Sequence, residues 1–366
     1  MIINANKIRL DLKSFTIEDQ TGVFQLPRPP FRQQNGRIYL KITDACNAQC
    51  SYCFQGSHRT PPTEDITKYD FLLSKILEES TDIVIFGGEP FLPQNLSAIN
   101  QLFSLSKSRR FIFFSNGYFN EEVRTFLIQK KSQIGPIVIS VDGLEETHNQ
   151  RRPFGQKNGF LHIQNNLSFL QENNIPFSVQ INIDADNYEE VPSLVQFLSN
   201  SFSNHFPIVL NKVLHSPKEI STVNLLEQYI NTKKKTGYSP LYVNCAVLDK
   251  ISDLLTGRGL SYNRCAVCNT RVYNFANDLI YCCPQISQSI IGSFNKTNEI
   301  ISEKALSNFN TCTNKENLKC INCELRFLCD FGCIDDNMTY KCNCKENTLS
   351  AIQLILNNFD LFNIFD

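Results

Sequence analysis

Three cysteines fall within eight residues, Cys46, Cys50 and Cys53, in the stretch TDACNAQCSYCF. Thiolates spaced by three and then two residues can bind three irons of one 4Fe–4S cube. The fourth iron then lacks a protein ligand and is open to an outside molecule. A zinc site is the competing reading, but structural zinc takes a closed set of four N/S ligands. Neither a His pair nor a fourth close Cys completes such a set, and His58 stands alone. The bacterial ferredoxin spacing also differs.

The rest of the 15 cysteines lie between Cys245 and Cys344, with none between Cys53 and Cys245. An odd, clustered count argues for metal or cofactor ligation in a reducing compartment, not for disulfides. The N-terminal stretch MIINANKIRLDLKSF carries charges where a signal peptide needs an apolar core. No apolar run reaches the roughly 18 residues of a spanning helix. A cytoplasmic protein is expected. The net charge of −1 gives no electrostatic case for nucleic acid or a membrane surface. With 366 residues, 42% of them hydrophobic, the chain suits two domains, or one barrel with an appended module.

Short apolar runs alternate with amphipathic stretches over residues 38–240. The expected strands are Ile38–Ile42, Ile83–Phe86, Phe111–Phe114, Ile137–Val141, Phe177–Ile183 and Ile208–Val213. The expected helices lie near 67–79, 94–107, 120–131, 158–173, 187–200 and 221–235. Six strand–helix units predict a parallel sheet, with the site on loops after the strands. The cysteine triad directly follows the first strand. Gly87-Gly88-Glu89-Pro90 follows the second, where glycines permit close backbone approach and a carboxylate can accept from an ammonium group. Ser115-Asn116-Gly117 ends the third, although Asn-Gly is also a common turn pair. Ser140-Val141-Asp142-Gly143 ends the fourth, ahead of His148, Arg151 and Arg152.

The triad, the GGEP segment and the strand-ending Asn-Gly together resemble the radical S-adenosylmethionine (SAM) enzymes. The resemblance implies a partial (β/α)6 barrel and an open iron that chelates SAM. It implies that Gly87, Gly88, Glu89 and Pro90 hold the SAM amino group. Ser115 and Asn116 belong to the corresponding strand-end segment. Tyr52 takes the aromatic place near the adenine. In the peptide- and protein-modifying branch, a Ser and an Arg ten residues past the Asp contact SAM, which selects Ser140 and Arg152. Arginine suits a carboxylate because it binds one bidentately. Arg151 is expected to be a solvated neighbour and His148 a structural hydrogen-bonder.

The core Cys320-x2-Cys323-x5-Cys329-x3-Cys333 resembles the SPASM module, a small cysteine-rich domain that carries two auxiliary 4Fe–4S clusters in its full form. The resemblance implies Cys265, Cys268, Cys282 and Cys333 on the first cluster, and Cys320, Cys323, Cys329 and Cys342 on the second. Cys344 competes with Cys342 for the last place. Asn277 stands where the pattern has Gly, a modest departure because Asn tolerates left-handed backbone. Two zinc knuckles are the competing reading. Cys245, Cys283 and Cys312 are left over. Cys283 stands where sulfatase maturases carry an acidic base. It is either a catalytic thiol or a buried apolar residue.

The implied organisation is an extension over 1–35, a radical SAM barrel over 36–240, a SPASM domain over 241–345 and a closing helix and tail over 346–366. The implied activity is reductive SAM cleavage to a 5′-deoxyadenosyl radical, which abstracts hydrogen from a ribosomal precursor peptide, with a side-chain crosslink as the favoured product. A flavodoxin or ferredoxin would donate the electron. A peptide epimerase, a formylglycine-generating sulfatase maturase and a non-catalytic iron–sulfur electron carrier are the alternatives.

Overall fold

The structure is a computed structural model. It describes residues 2–5, 8–14, 16–26, 37–55, 66–79, 82–106, 108–155, 157–202, 205–214, 216–256, 270–285, 289–305, 323–325, 328–329 and 344–362. Cys265, Cys268, Cys312, Cys320, Cys333 and Cys342 lie outside these residues, and Cys344 is described by its backbone alone.

All six expected strands form, as β5 (Ile38–Thr43), β6 (Ile83–Gly87), β7 (Phe111–Ser115), β8 (Ile134–Ser140), β9 (Phe177–Ile183) and β10 (Ile208–Lys212). Each pairs in parallel with the next. Between them run α1 (Asp70–Glu79), α2 (Leu96–Leu105), α3 (Glu121–Gln129), α4 (Glu145–Arg151), α5 (Gly159–Glu172) and α6 (Val191–Ser201). The fold is α/β with a central parallel sheet, and β11 (Leu241–Val243) adds a further parallel strand beyond residue 240.

Alternation along the strands decides which face each side chain takes. Leu40, Ile42, Phe113, Ile139, Ile181 and Leu210 are fully or almost fully buried in the core shared with the helices. Phe111 and Phe113 meet Phe103 of α2 there. The opposite face carries Tyr39, Phe86 and Phe114 on β5–β7, and Ser140, Gln180, Asn182 and Asn211 on β8–β10. The helices start where the sequence supplies caps. Asn120 accepts from Val123 N at the head of α3, and Asn158 from Leu161 N at the head of α5. Ser221 and Asn224 form a capping box on α7 (Thr222–Thr236), which Gly237 ends with φ +62°.

Two features were not foreseen. Residues within 2–25 form an antiparallel meander, β1 (Ile2–Asn4), β2 (Arg9–Asp11), β3 (Thr16–Asp19) and β4 (Gly22–Gln25). The parallel sheet also continues on its β5 side. There β12 (Arg271–Asn274) pairs in parallel with β5, and β13 (Leu279–Tyr281), β14 (Ile290–Phe294) and β15 (Glu299–Ile301) follow antiparallel. The left-handed residue in the β12–β13 hairpin is Asp278, with φ +58°, and not Asn277. Asn277 instead binds Tyr281 Oη at 2.8 Å through Nδ2. The expected closing helix is present as α9 (Cys344–Asn357), packed on α7 and on α8 (Ala246–Thr256). Past it, Phe362 stacks on Tyr229 at 5.0 Å.

Candidate functional site

The cysteine loop leaves β5 at the C-terminal end of the sheet, where the turns after β6, β7 and β8 also lie. Backbone hydrogen bonds stitch it to them. Gly88 N donates to Thr43 O at 2.9 Å and Glu89 N to Ala45 O at 2.8 Å. Gln49 N donates to Pro153 O and Ser51 N to Arg151 O, each at 2.9 Å. The two glycines of GGEP serve this seam. A Cβ on Gly87 would stand 2.2 Å from Thr43 O, and one on Gly88 2.1 Å from Ala45 O. They admit the cysteine loop's backbone.

Glu89 is fully buried, and the chain's own donors take up both carboxylate oxygens. Oε1 accepts from Phe91 N at 2.9 Å and Ser115 Oγ at 2.8 Å, and Oε2 from Asn116 N at 2.7 Å. The carboxylate therefore pins the end of β6 to the end of β7. Burial raises its pKa to about 7 against the pull of those donors. Ser115 Oγ is further engaged by Gly117 N at 3.0 Å. Asn116 sits beside the triad, with Nδ2 2.7 Å from Asn47 Oδ1 and 3.7 Å from Cys46 Sγ.

On the other side of the loop stands a charged knot. Tyr52 Oη donates to Asp142 Oδ2 and accepts from Arg152 Nη1 at 2.5 Å. Arg152 Nη1 also lies 3.3 Å from Asp142 Oδ2. Burial works against the Asp142 charge, but Arg152 and Arg151 hold its pKa below the usual carboxylate range. Burial likewise opposes the Arg152 charge, and Cys50, Tyr52 and Asp142 overcome it. Arg152 Nε is buried with no partner among the described residues. Nη1 of the guanidinium is thus tied down while Nε is not, a state that Arg151 Nε and Arg109 Nε share.

Arg151 is not the solvated neighbour expected. It is 3% exposed, with Nη1 2.5 Å from Asp184 Oδ1 and Nη2 3.1 Å from Asn182 O. Its guanidinium carbon also lies 4.9 Å from the Tyr52 ring centroid. A charge that cannot reach water must be paired, and Asp184, just past β9, supplies the pair. His148 is the structural hydrogen-bonder expected. Its Nδ1 accepts from Asp142 N at 3.3 Å, so the proton sits on Nε2, and burial lowers its pKa to about 4.

Cys46 and Cys50 are half-buried and Cys53 is exposed. Burial pushes the Cys50 thiol up, and Arg152 pulls it back. Among the described residues no three His, Cys, Asp or Glu side chains converge as a single ion requires. A 4Fe–4S cube makes no such demand, because each thiolate holds a different iron. Ala48 N, 3.4 Å from Cys46 Sγ, supplies the kind of donor such thiolates accept from. The residues present therefore fit a cluster and a carboxylate-bearing ligand side by side.

Cys283 lies elsewhere. Tyr281 is level with Val272, and Val272 with Tyr39, which puts Cys283 level with the start of β5. The span from there to Thr43 is about 20 Å at ordinary strand rise. The neighbour of Cys283 is Tyr39, whose phenol is raised chiefly by burial, with Cys283 adding to it. Of the expected auxiliary ligands, Cys282 and Cys329 are buried and Cys323 is half-buried. Thr348 Oγ1 donates to Cys329 Sγ at 3.3 Å.

Sequence comparison bears on the stretch that builds this geometry. Residues 40–198 match the Radical SAM superfamily, and the chain carries a radical SAM domain over that stretch. Such domains use a 4Fe–4S cluster with SAM. The sporulation killing factor maturation protein SkfB of Bacillus subtilis is 30% identical over 164 residues, 44% of this chain. The match spans 39% of that relative's length. A protein of Methanocaldococcus jannaschii described as uncharacterized is 26% identical over 74% of this chain and 92% of its own length. Among solved structures, anSMEcpe with bound AdoMet superposes with a TM-score of 0.66 at 16% identity, covering 89% of this chain and 97% of that one. SuiB of Streptococcus suis bound to S-adenosylmethionine gives 0.61 at 14% identity, over 83% and 74%. These likenesses support a radical SAM fold. Among the described residues no helix is long and apolar enough to cross a membrane.

Proposed function

We propose that this protein is a radical SAM/SPASM enzyme that modifies a ribosomal precursor peptide and joins two of its side chains. The observation that carries the reading is the unpartnered Nε of Arg152, buried beside the cysteine loop. When bound, the cluster and SAM supply a 5′-deoxyadenosyl radical able to abstract hydrogen. Cys46, Cys50 and Cys53 would hold the cluster. Arg152 would orient the SAM carboxylate, with Tyr52 and Asp142 fixing the guanidinium. Ser140, half-buried on the open face of β8, would line the same pocket. The Glu89 carboxylate is occupied, Gly87 O accepts from Gln55 Nε2 at 2.8 Å and Glu89 O from Asn95 Nδ2 at 3.0 Å, so the carbonyls of Gly88 and Pro90 would receive the SAM ammonium. Auxiliary clusters on the C-terminal cysteines would accept the electron left by a net oxidation.

The peptide as substrate draws support from two neighbours in fold. SuiB is recorded bound to the precursor peptide SuiA, and anSMEcpe bound to the Kp18Cys peptide. Cys283 carries no carboxylate, which weighs against formylglycine formation. Anaerobically reconstituted protein should carry about twelve irons, from three cubes. Replacing Cys46, Cys50 and Cys53 together by Ala should remove about four of them and abolish 5′-deoxyadenosine formation. Persistent 5′-deoxyadenosine would overturn the assignment. The product mass then reads the reaction: a crosslink loses two hydrogens, whereas an isobaric product with solvent deuterium at an α-carbon makes Cys283 a hydrogen donor.

A further inference from the structure

The open face of β9–β11 carries a row of side-chain amides to which the proposed function assigns no contact with SAM. Asn182 on β9 is level with Asn211 on β10. Asn244, one residue past β11, docks its backbone N on Leu210 O at 2.8 Å and so continues the row. The side chains are joined. Gln180 Nε2 donates to Asn182 Oδ1 at 2.8 Å, Asn211 Nδ2 to the same oxygen at 3.2 Å, and Asn244 Nδ2 to Asn211 Oδ1 at 3.0 Å.

The direction of this chain is not arbitrary. Asn182 Nδ2 lies 3.3 Å from both Asp142 Oδ1 and Tyr52 Oη. An ionised carboxylate only accepts, so Asn182 must turn its NH2 to Asp142 and its oxygen to the row. That oxygen obliges Gln180 and Asn211 to offer NH2, and Asn211 in turn offers its oxygen to Asn244. The charge of Asp142 thus sets the polarity of amides two strands away. Asn182 is saturated: its oxygen accepts twice and its NH2 donates twice. Asn211 keeps one N–H and one lone pair. Asn244 keeps one N–H and its whole carbonyl, and Gln180 keeps one N–H and its carbonyl. Asn182 is buried, Asn211 half-buried and Asn244 exposed, so the unspent capacity grows toward solvent.

We infer that Asn211 and Asn244, oriented through Asn182, form a rail that binds the main chain of a peptide substrate. A peptide backbone presents one donor and one acceptor per residue, and a half-used primary amide complements both. The row spans about 10 Å across three strands, the length of about three residues of extended chain. Because the row is held in one orientation before any ligand arrives, binding loses little to ordering. A main-chain rail also leaves the side chains of the peptide facing the rest of the pocket. The inference rests on the peptide reading above.

The test uses holoenzyme, reconstituted anaerobically with SAM, and a synthetic pool of random dodecapeptides whose retained fraction is read by mass spectrometry. Wild type should retain peptides, and the double variant Asn211→Ala, Asn244→Ala should retain about tenfold less. SAM affinity by calorimetry should be unchanged in the variant. A second pool with N-methylated backbone amides should be retained poorly by wild type, whatever the variant's folding. Equal retention by variant and wild type, or of both pools by wild type, would overturn the rail and leave the peptide reading standing. No retention by wild type would overturn both.

Discussion

The open face of the parallel sheet has two unlike halves. On β5–β7 it is aromatic: Tyr39 lies 5.5 Å from Phe86 and 6.5 Å from Phe114, ring to ring. On β8–β11 it is polar, with Ser140, Gln180, Asn182, Asn211 and Asn244 facing the same space. Both halves share one core behind them and one cysteine loop above them. The rings of the aromatic half make no directional demands, whereas an amide buried in the polar half, such as Asn182, must find a partner. The difference teaches how one barrel can seat two kinds of group. Rings tolerate whatever apolar surface meets them. The amides hold one hydrogen-bonding direction that Asp142 dictates.

The largest expected break lies at the two adjacent arginines, both on the polar side. Arg151→Ala leaves Asp184 buried without its partner and should cost about 3–5 kcal/mol of stability. On the proposed reading, Arg152→Ala removes a charge-assisted contact to SAM and should cost on the order of 1.5–3 kcal/mol of affinity. The two effects should separate: denaturant melts report Arg151, and SAM titration of folded protein reports Arg152. Equal loss of SAM affinity in both, with unchanged melts, would dissolve the distinction.

A smaller break compares the halves directly. Phe114→Asn places an amide among rings with no partner on offer, and should destabilise by about 1–3 kcal/mol. Gln180→Leu removes a single hydrogen bond from the polar half and should cost about 1 kcal/mol or less. Urea melts of the two variants test the order. If Phe114→Asn were the milder change, the aromatic half would be wet and the contrast between the halves would fail.

The sequence made the barrel legible because each strand is a short apolar run between amphipathic helices, and because chemistry clusters where strands end. The position of the triad just after β5 was readable for the same reason. Other features were not, for physical causes. The pairing of Arg151 with Asp184 joins positions in separate strand–helix units, which no local pattern records. The use of Gly87 and Gly88 as clearance for Thr43 O and Ala45 O depends on which backbone lies opposite. The amide row was missed because Asn182, Asn211 and Asn244 are far apart in the chain and meet only through strand register. A polar residue recurring at the C-terminal end of successive expected strands was the available signal. The meander over residues 2–25 is built from strands of three or four residues, too short for alternation to declare itself.

The smallest expected effect is one of slope, and it sets the two halves against each other through pH. Glu89 ties the strands of the aromatic half together, and its pKa is raised to about 7 in the fold. Its contribution to stability is therefore fully present below the ordinary carboxylate value of 4.5 and is lost as pH rises through about 7. His148 braces Asp142 at the root of the polar half, with its pKa lowered to about 4. Its contribution is present above the ordinary 6.5 and is lost as pH falls through about 4. Between about 5 and 6 the two slopes oppose each other, each bounded by about 1.4 kcal/mol per pH unit for a single proton. Glu89→Gln should leave a melting temperature that climbs more steeply with pH across that window than wild type. His148→Asn should leave one that climbs less or falls. All other titrating groups are common to the two variants, so the difference between their curves belongs to these two residues. Parallel curves from pH 4.5 to 7, measured on apoprotein by thermal melts, would show that neither buried group titrates as its surroundings require.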